Sequence, residues 1–239
     1  MELHRRSPGL RAAGAALVVV ALALGACGGG DSGKRDEVAP NSDFGLADDE
    51  IAQAANFRLT DFPPGWQRSP GAVDPPDSPE DRRFDECMGR PQASEVRTSI
   101  ANSDNFATGQ LSRANSAAQL VRTEQIARDD FAALRGERAV PCLAERLDAE
   151  LATQTPQGGQ PFTRRSLERF EVDNVADETI GFRMVVDAPS VGPSATVVVD
   201  QVFVRKGRVE ISTSFIEPER PFPAELRQSL LRKLVERAG

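Results

Sequence analysis

The chain holds three cysteines, Cys27, Cys87 and Cys142, and a single histidine, His4. A thiol can attack an electrophile, ligate a metal or close a disulfide, and spacing sorts these options. No two of the three stand as CxxC, the usual redox spacing. Cys27 sits between an apolar run and Gly28-Gly29-Gly30, where it has no core to enter and no cysteine beside it. No GxSxG, Walker A, GxGxxG or HExxH motif occurs, and there is no tyrosine to act as a phenolic acid. Carboxylate chemistry, in which two acids divide the roles of proton donor and base, is the enzymatic option left. Asp173, Asp177, Glu178 and Asp187 are at hand for it, but they fall at expected strand ends and turns, where solvated charge is the ordinary role. The acidic stretch Asp48-Asp49-Glu50 reads as the first turn of a short helix, Ala47 to Asn56, favoured there by the helix dipole rather than by a bound cation. The chain is therefore read as no enzyme, with no metal and no cofactor.

The N-terminus sets an address. Arg5, Arg6 and Arg11 form a basic region, and Ala12 to Ala26 is an unbroken apolar or glycine stretch, short for a membrane span and placed as a secretory signal. The run ends in Leu24-Gly25-Ala26-Cys27, which resembles the lipobox of bacterial lipoprotein precursors. That resemblance implies cleavage before Cys27 and a lipid thioether on its sulfur. Two or more acyl chains hold a protein stably at a bilayer, so the expected location is the extracytoplasmic face of the cell membrane without a spanning helix. Loss of residues 1–26 removes Arg5, Arg6, Arg11, Glu2 and His4, and takes the formal charge from −7 to −9. A chain without histidine builds no Ser-His-Asp triad or Cys-His pair. An acidic chain without clustered Lys and Arg makes no nucleic-acid partner. With Cys27 committed to lipid, Cys87 and Cys142 are an even pair in an exported domain, which reads as a structural disulfide.

The remaining sequence divides into a tether, residues 27–46, and one domain, residues 47–239. Leu59 to Trp66 is a proline-stiffened turn that presents the only Trp to the core. A short helix over Glu80 to Met88 carries Cys87. No strong periodicity runs from Pro91 to Asn115, and Ala118 to Thr123 reads as a short strand. Thr123 caps a helix to Leu134, with Ala127, Phe131 and Leu134 on one face. A second helix starts near Pro141, its Leu143, Leu147 and Leu151 forming one stripe. The period then changes to two. Phe162 to Val172 is a charged edge strand, and Thr179 to Val186 alternates Ile180, Phe182, Met184 and Val186 with Gly181, Arg183 and Val185. Ala195 to Arg205 and Arg208 to Ile216 flank a Lys206-Gly207 turn. On that last strand Val209, Ile211, Thr213 and Phe215 face the core, and Arg208, Glu210, Ser212 and Ser214 form a polar face. A helix bearing Leu226, Leu230 and Leu234 closes the chain. The expected class is α+β, an antiparallel four- to five-stranded sheet packed against helices with a C-terminal covering helix.

Leu59-Thr60-Asp61-Phe62-Pro63-Pro64-Gly65-Trp66, Cys87, Cys142-Leu143 and the Val197 to Phe215 hairpin together resemble actinobacterial cell-envelope lipoproteins. That group is similar to the extracellular sensor domains of mycobacterial membrane Ser/Thr kinases and to PsbP-like lipoproteins. This chain departs from the kinase sensors in having one cysteine pair where they commonly have two, and no catalytic residue carries over. The resemblance implies a non-catalytic binding or sensor module that holds a small apolar or envelope-derived ligand between sheet and helices. A protein-interaction or structural lipoprotein of the envelope is the alternative. A sizeable apolar pocket would favour the first, and a filled core with an exposed apolar patch the second.

The anchor is tested directly. Wild-type protein should partition into detergent and incorporate a palmitate analogue, whereas Cys27→Ala should do neither. Equal membrane retention of the variant would remove the lipid anchor from the account.

Overall fold

The protein is described from a computed structural model over residues 42–69, 78–109, 112–153, 160–188 and 195–239. The signal stretch, Cys27 with its expected lipid, and residues 27–41 of the expected tether lie outside these residues. No described helix is long and apolar enough to cross a membrane.

In chain order the elements are α1 (Ser42–Ala54), a 3-10 turn (Leu59–Asp61), β1 (Gln67–Ser69), α2 (Pro79–Met88), α3 (Ala93–Val96), β2 (Arg97–Asn102), β3 (Asn105–Thr108) and β4 (Ser112–Val121). There follow α4 (Glu124–Arg135), α5 (Ala139–Thr153), β5 (Thr163–Phe170), β6 (Glu178–Asp187), β7 (Thr196–Lys206), β8 (Val209–Pro218) and α6 (Ala224–Arg237). The local signals that start the helices are visible. The Ser78 hydroxyl accepts from Asp81 N–H at 3.1 Å ahead of Pro79, and the Thr123 hydroxyl accepts from Ile126 N–H at 3.2 Å; each satisfies one orphan donor of a first turn.

The strands form one antiparallel sheet ordered β1-β3-β4-β8-β7-β6-β5, with β2 also paired to β4. The class is the α+β expected, but eight strands replace four or five. Of the three additional ones, β2 and β3 lie in the stretch without periodicity and β1 lies just after the Leu59–Trp66 turn. β4 carries β3 on its start (Phe106 opposite Ala114) and β2 on its end (Asn102 opposite Ala117), and β1 pairs with β3. These strands are short or rich in Ser, Asn and Ala, so no alternation of large apolar residues announces them. β5 is the edge strand expected, pairing only with β6.

Helices cover both faces. On the first, Phe84 of α2, Phe131 and Leu134 of α4, and Leu143, Leu147 and Leu151 of α5 pack on Phe182, Met184 and Val186 of β6, Val197 and Val199 of β7, and Ile216 of β8. On the second, Ala52 of α1 and Leu230, Leu231 and Leu234 of α6 pack on Leu120 of β4, Val202 and Val204 of β7, and Val209, Ile211 and Phe215 of β8. This corrects the expected polar face of β8. Glu210 and Ser214 are buried, because α2, α4 and α5 lie over the side they share.

Three local expectations also shift. The hairpin turn is Gly207-Arg208, with Lys206 paired to Val209; Gly207 at φ 57° takes the first central position, where a tight hairpin needs a positive φ. α1 starts at Ser42 rather than Ala47, so Asp48 is not in its first turn. Asp48 is instead buried and accepts from Thr98 Oγ1 at 2.6 Å and Arg208 Nη2 at 2.7 Å. Burial works against its ionisation, but those hydrogen bonds and the Arg208 charge outweigh it and hold the carboxyl below its ordinary range. Trp66 is half-buried against Phe62 and Phe222, as a core cover should be.

Cys87 and Cys142 are joined, with Cα atoms 5.7 Å apart, and tie α2 to α5. The bond closes a loop of 55 residues, for which the chain-entropy relation gives about 4 kcal/mol. Replacing both cysteines by alanine should lower the unfolding free energy by roughly 2–4 kcal/mol in urea titrations. An unchanged midpoint would show that the packing of α2 on α5 suffices alone.

Candidate functional site

Strand register creates the site. Gln119 of β4 stands opposite Glu210 of β8, and Gln201 of β7 stands opposite Ser214 of β8. Because side chains alternate across a strand, Gln119, Gln201, Glu210, Ser212 and Ser214 share the first face. Over them α2, α4 and α5 leave a cavity of about 110 Å³. This is the groove between sheet and helices that the sequence led one to expect, but it is lined by Arg, Asp, Glu and Gln as well as by Phe131, Leu134 and Leu143.

The wall residues reach their places through the end of α2. Gly89 adopts a left-handed conformation (φ 71°) and turns the chain so that Arg90 N–H reaches Asp85 C=O at 2.9 Å. The Arg90 guanidinium then donates to Asp85 Oδ1 at 2.5 Å, while the other Asp85 oxygen accepts from Ala93 N–H at 3.2 Å. Arg146 of α5 pairs with Asp81 at 2.6 Å. Phe84 lies between the two cations, 5.1 Å from Arg90 and 5.2 Å from Arg146, an arrangement that attracts both through the ring quadrupole. The disulfide fixes this wall, since Cys87 belongs to the same helix as Phe84 and Asp85.

Glu210 and Asp130 of α4 form the buried centre. Glu210 Oε2 accepts from Gln119 Nε2 at 2.6 Å, and Oε1 is buried without a donor. Burial raises the Glu210 pKa to about 8, helped by the charge of Asp130 and opposed by Gln119 and Arg90. Burial also raises that of Asp130, with Asp85 and Asp129 adding to it and Arg90 and Glu210 opposing. Two neighbouring buried carboxyls cannot both ionise cheaply, which favours a proton on Glu210.

A second buried charge cluster lies on the opposite face. Asp200 accepts from Arg183 Nε at 2.6 Å and Arg227 Nη1 at 2.5 Å. Both guanidiniums stack on Phe170, whose ring in turn covers Gly181. Burial lowers the Arg227 pKa, with Asp200 opposing. This cluster fastens α6 to the sheet.

Of the residues singled out from sequence, Cys87 and Cys142 meet as a disulfide at the edge of the cavity wall, and Cys27 is outside the described residues. Asp177 and Glu178 bind Arg205 at 3.2 and 2.6 Å. Among the described residues no three His, Cys, Asp or Glu gather in a metal-holding arrangement. Glu210, Asp130, Arg90 and Gln201 were not foreseen. The available signal was the number of apolar helix stripes, which exceeds what one sheet face can cover.

No protein-family model matches the chain, and no curated protein matches it. Among solved structures it is similar to the extracellular domain of PknH from Mycobacterium tuberculosis, at 10% identity over 79% of this chain and 95% of that one, with a TM-score of 0.44. It is also similar to an uncharacterised Mycobacterium smegmatis protein, the Rv0999 ortholog, at 12% identity over 80% of this chain and 97% of that one, with a TM-score of 0.40.

The Glu210 proton has a pH signature. The unfolded Glu210 ionises near 4.5 and the folded one near 8, so the folded state holds a proton that the unfolded state releases. This stabilisation is complete below 4.5 and is lost as pH rises through about 8. The groups facing Glu210 are Asp130 and Asp129 of α4, Asp85 and Arg90 at the end of α2, Arg97 of β2, Arg146 of α5 and Arg205 of β7. The melting temperature should fall by about 5 °C between pH 5.5 and 9, and Glu210→Gln should flatten that slope. An equal slope in both proteins would refute the proton assignment.

Proposed function

We propose that the chain is a lipid-anchored, extracytoplasmic and non-catalytic module that binds a small polar molecule in the cavity between α2, α4, α5 and the sheet. The observation that carries this reading is Gln201. Gln201 is 4% exposed and lines the cavity, and its amide has no protein hydrogen-bond partner among the described residues. An amide carries two donors and an acceptor, and facing a cavity it offers them to an incoming ligand. The ligand class shifts from apolar to polar because charged and amide groups share the lining with the aromatic ones.

The interaction-module alternative called for an exposed apolar patch. The described surface offers two exposed large hydrophobics, Leu46 at 73% and Leu59 at 43%, which is little for such a patch. The lack of tyrosine, and of any histidine beyond His4, supports the non-catalytic part of the reading.

The test fills the cavity. Ala117 lines it from β4, and Ala117→Leu occupies it with carbon. Wild-type protein extracted from its own membranes should release a stoichiometric small molecule on heat denaturation, and the variant, shown to be folded by circular dichroism, should release none. Identical release profiles would transfer the function to a docking surface.

A further inference from the structure

The charges around the cavity are spent on one another. Arg90 is paired with Asp85, Arg146 with Asp81, and Asp130 with protonated Glu210; Arg97 is engaged as well. With one proton on the Asp130–Glu210 pair, three guanidiniums face three negative charges in the lining. The lining is thus balanced in charge, although Arg90 Nε is buried without a hydrogen-bond partner, and an added cation or anion would bring its own desolvation cost into a buried site.

The floor is different. It is built by the sheet from uncharged groups that each donate and accept. The Gln201 amide and the Ser212 hydroxyl have no protein partner among the described residues, and Gln119 uses its N–H on Glu210 while no protein donor reaches its carbonyl oxygen there. Gln201 on β7 and Ser212 on β8 are diagonal neighbours on one face, since Ser212 stands opposite Phe203 and Gln201 opposite Ser214. A molecule resting on this floor satisfies it with adjacent oxygens that donate and accept in the same way.

Size narrows the choice. An enclosed space of about 150 Å³ accepts a benzene-sized molecule, so about 110 Å³ takes a somewhat smaller unit. Phe131, Phe203 and Leu143 supply apolar wall for its carbon atoms.

We propose that the cavity takes a neutral, hydroxyl-bearing unit, a vicinal diol such as a glycerol or one edge of a sugar ring, whose hydroxyls exchange hydrogen bonds with the Gln201 amide, the Ser212 hydroxyl and the Gln119 carbonyl oxygen. This rests on the binding-module reading and adds its ligand class. The same chemistry is offered by a free sugar and by a neutral glycolipid headgroup, and the latter would lie near the expected anchor.

Ligand-observed saturation-transfer NMR on the full-length protein in detergent, at pH 6.5, tests the class. The probes are glycerol, methyl glucoside and myo-inositol as neutral polyols, ethanolamine as a cation and acetate as an anion. Transfer to at least one polyol is expected, falling at least fivefold in Gln201→Leu and in Ser212→Ala, with none to the two ions. Gln201→Leu should melt at or above the wild-type temperature, which separates lost binding from lost fold. Vesicles of phosphatidylcholine containing a glucosyl diacylglycerol then distinguish the sources: loss of the methyl glucoside signal indicates a headgroup, and its persistence a soluble sugar. Transfer to ethanolamine or acetate that is sensitive to Gln201→Leu would overturn the neutral class and leave the cavity as a binding site. No transfer to any probe, with water alone in the cavity, would overturn both.

Discussion

The β7–β8 hairpin is buried on both faces, and the charged side chains it carries must find their partners inside the protein. An ordinary antiparallel sheet leaves one face to water, where such groups need no arrangement. Here helices lie on both sides, and Asp200, Glu210, Thr213 and Ser214 of the hairpin are all removed from solvent. Burying an unpaired charge costs far more than the few kcal/mol by which a domain is stable, so placement of the partners decides how the layers assemble.

The two faces meet this constraint differently. Beneath α6, Asp200 takes two guanidiniums, Arg183 and Arg227, and Phe170 fills the space they share. Beneath α4, Glu210 has a carboxylate for a neighbour, Arg90 being committed to Asp85. A proton takes the place of the missing cation. The first solution is closed, while the second leaves amide and hydroxyl groups of the floor open to a cavity, which is why the proposed binding site belongs to this face.

The same hairpin anchors the start of the domain. Arg208, in its turn, holds Asp48 of α1. Arg237 at the end of α6 reaches Asp61, Ala54 C=O and Asn56 C=O, and Lys233 reaches Asp61 C=O. The first described segment is thus bound to the sheet and to the last helix by charge-assisted hydrogen bonds, which are the stronger kind.

Periodicity made the helical stripes of Phe131–Leu134, Leu143–Leu151 and Leu230–Leu234 legible, together with the alternation of β6 and the cap at Thr123, because each depends on residues a few positions apart. The cysteine pair was legible from its count and the expected export. β1 to β3 were not, since short strands of small and polar residues gain their stability from pairing, β2 and β3 with β4 and β1 with β3, rather than from any local pattern. Nor was the site. Glu210 alternates with Val209 and Ile211 as a solvent-facing residue would, and nothing local says that helices from three separate stretches will cover it. Sequence by itself determined the elements, their amphipathic faces and the class of fold. Only tertiary structure decided which faces meet, because burial of a polar face depends on how many layers share the sheet, and with that it decided where buried polar groups face a cavity.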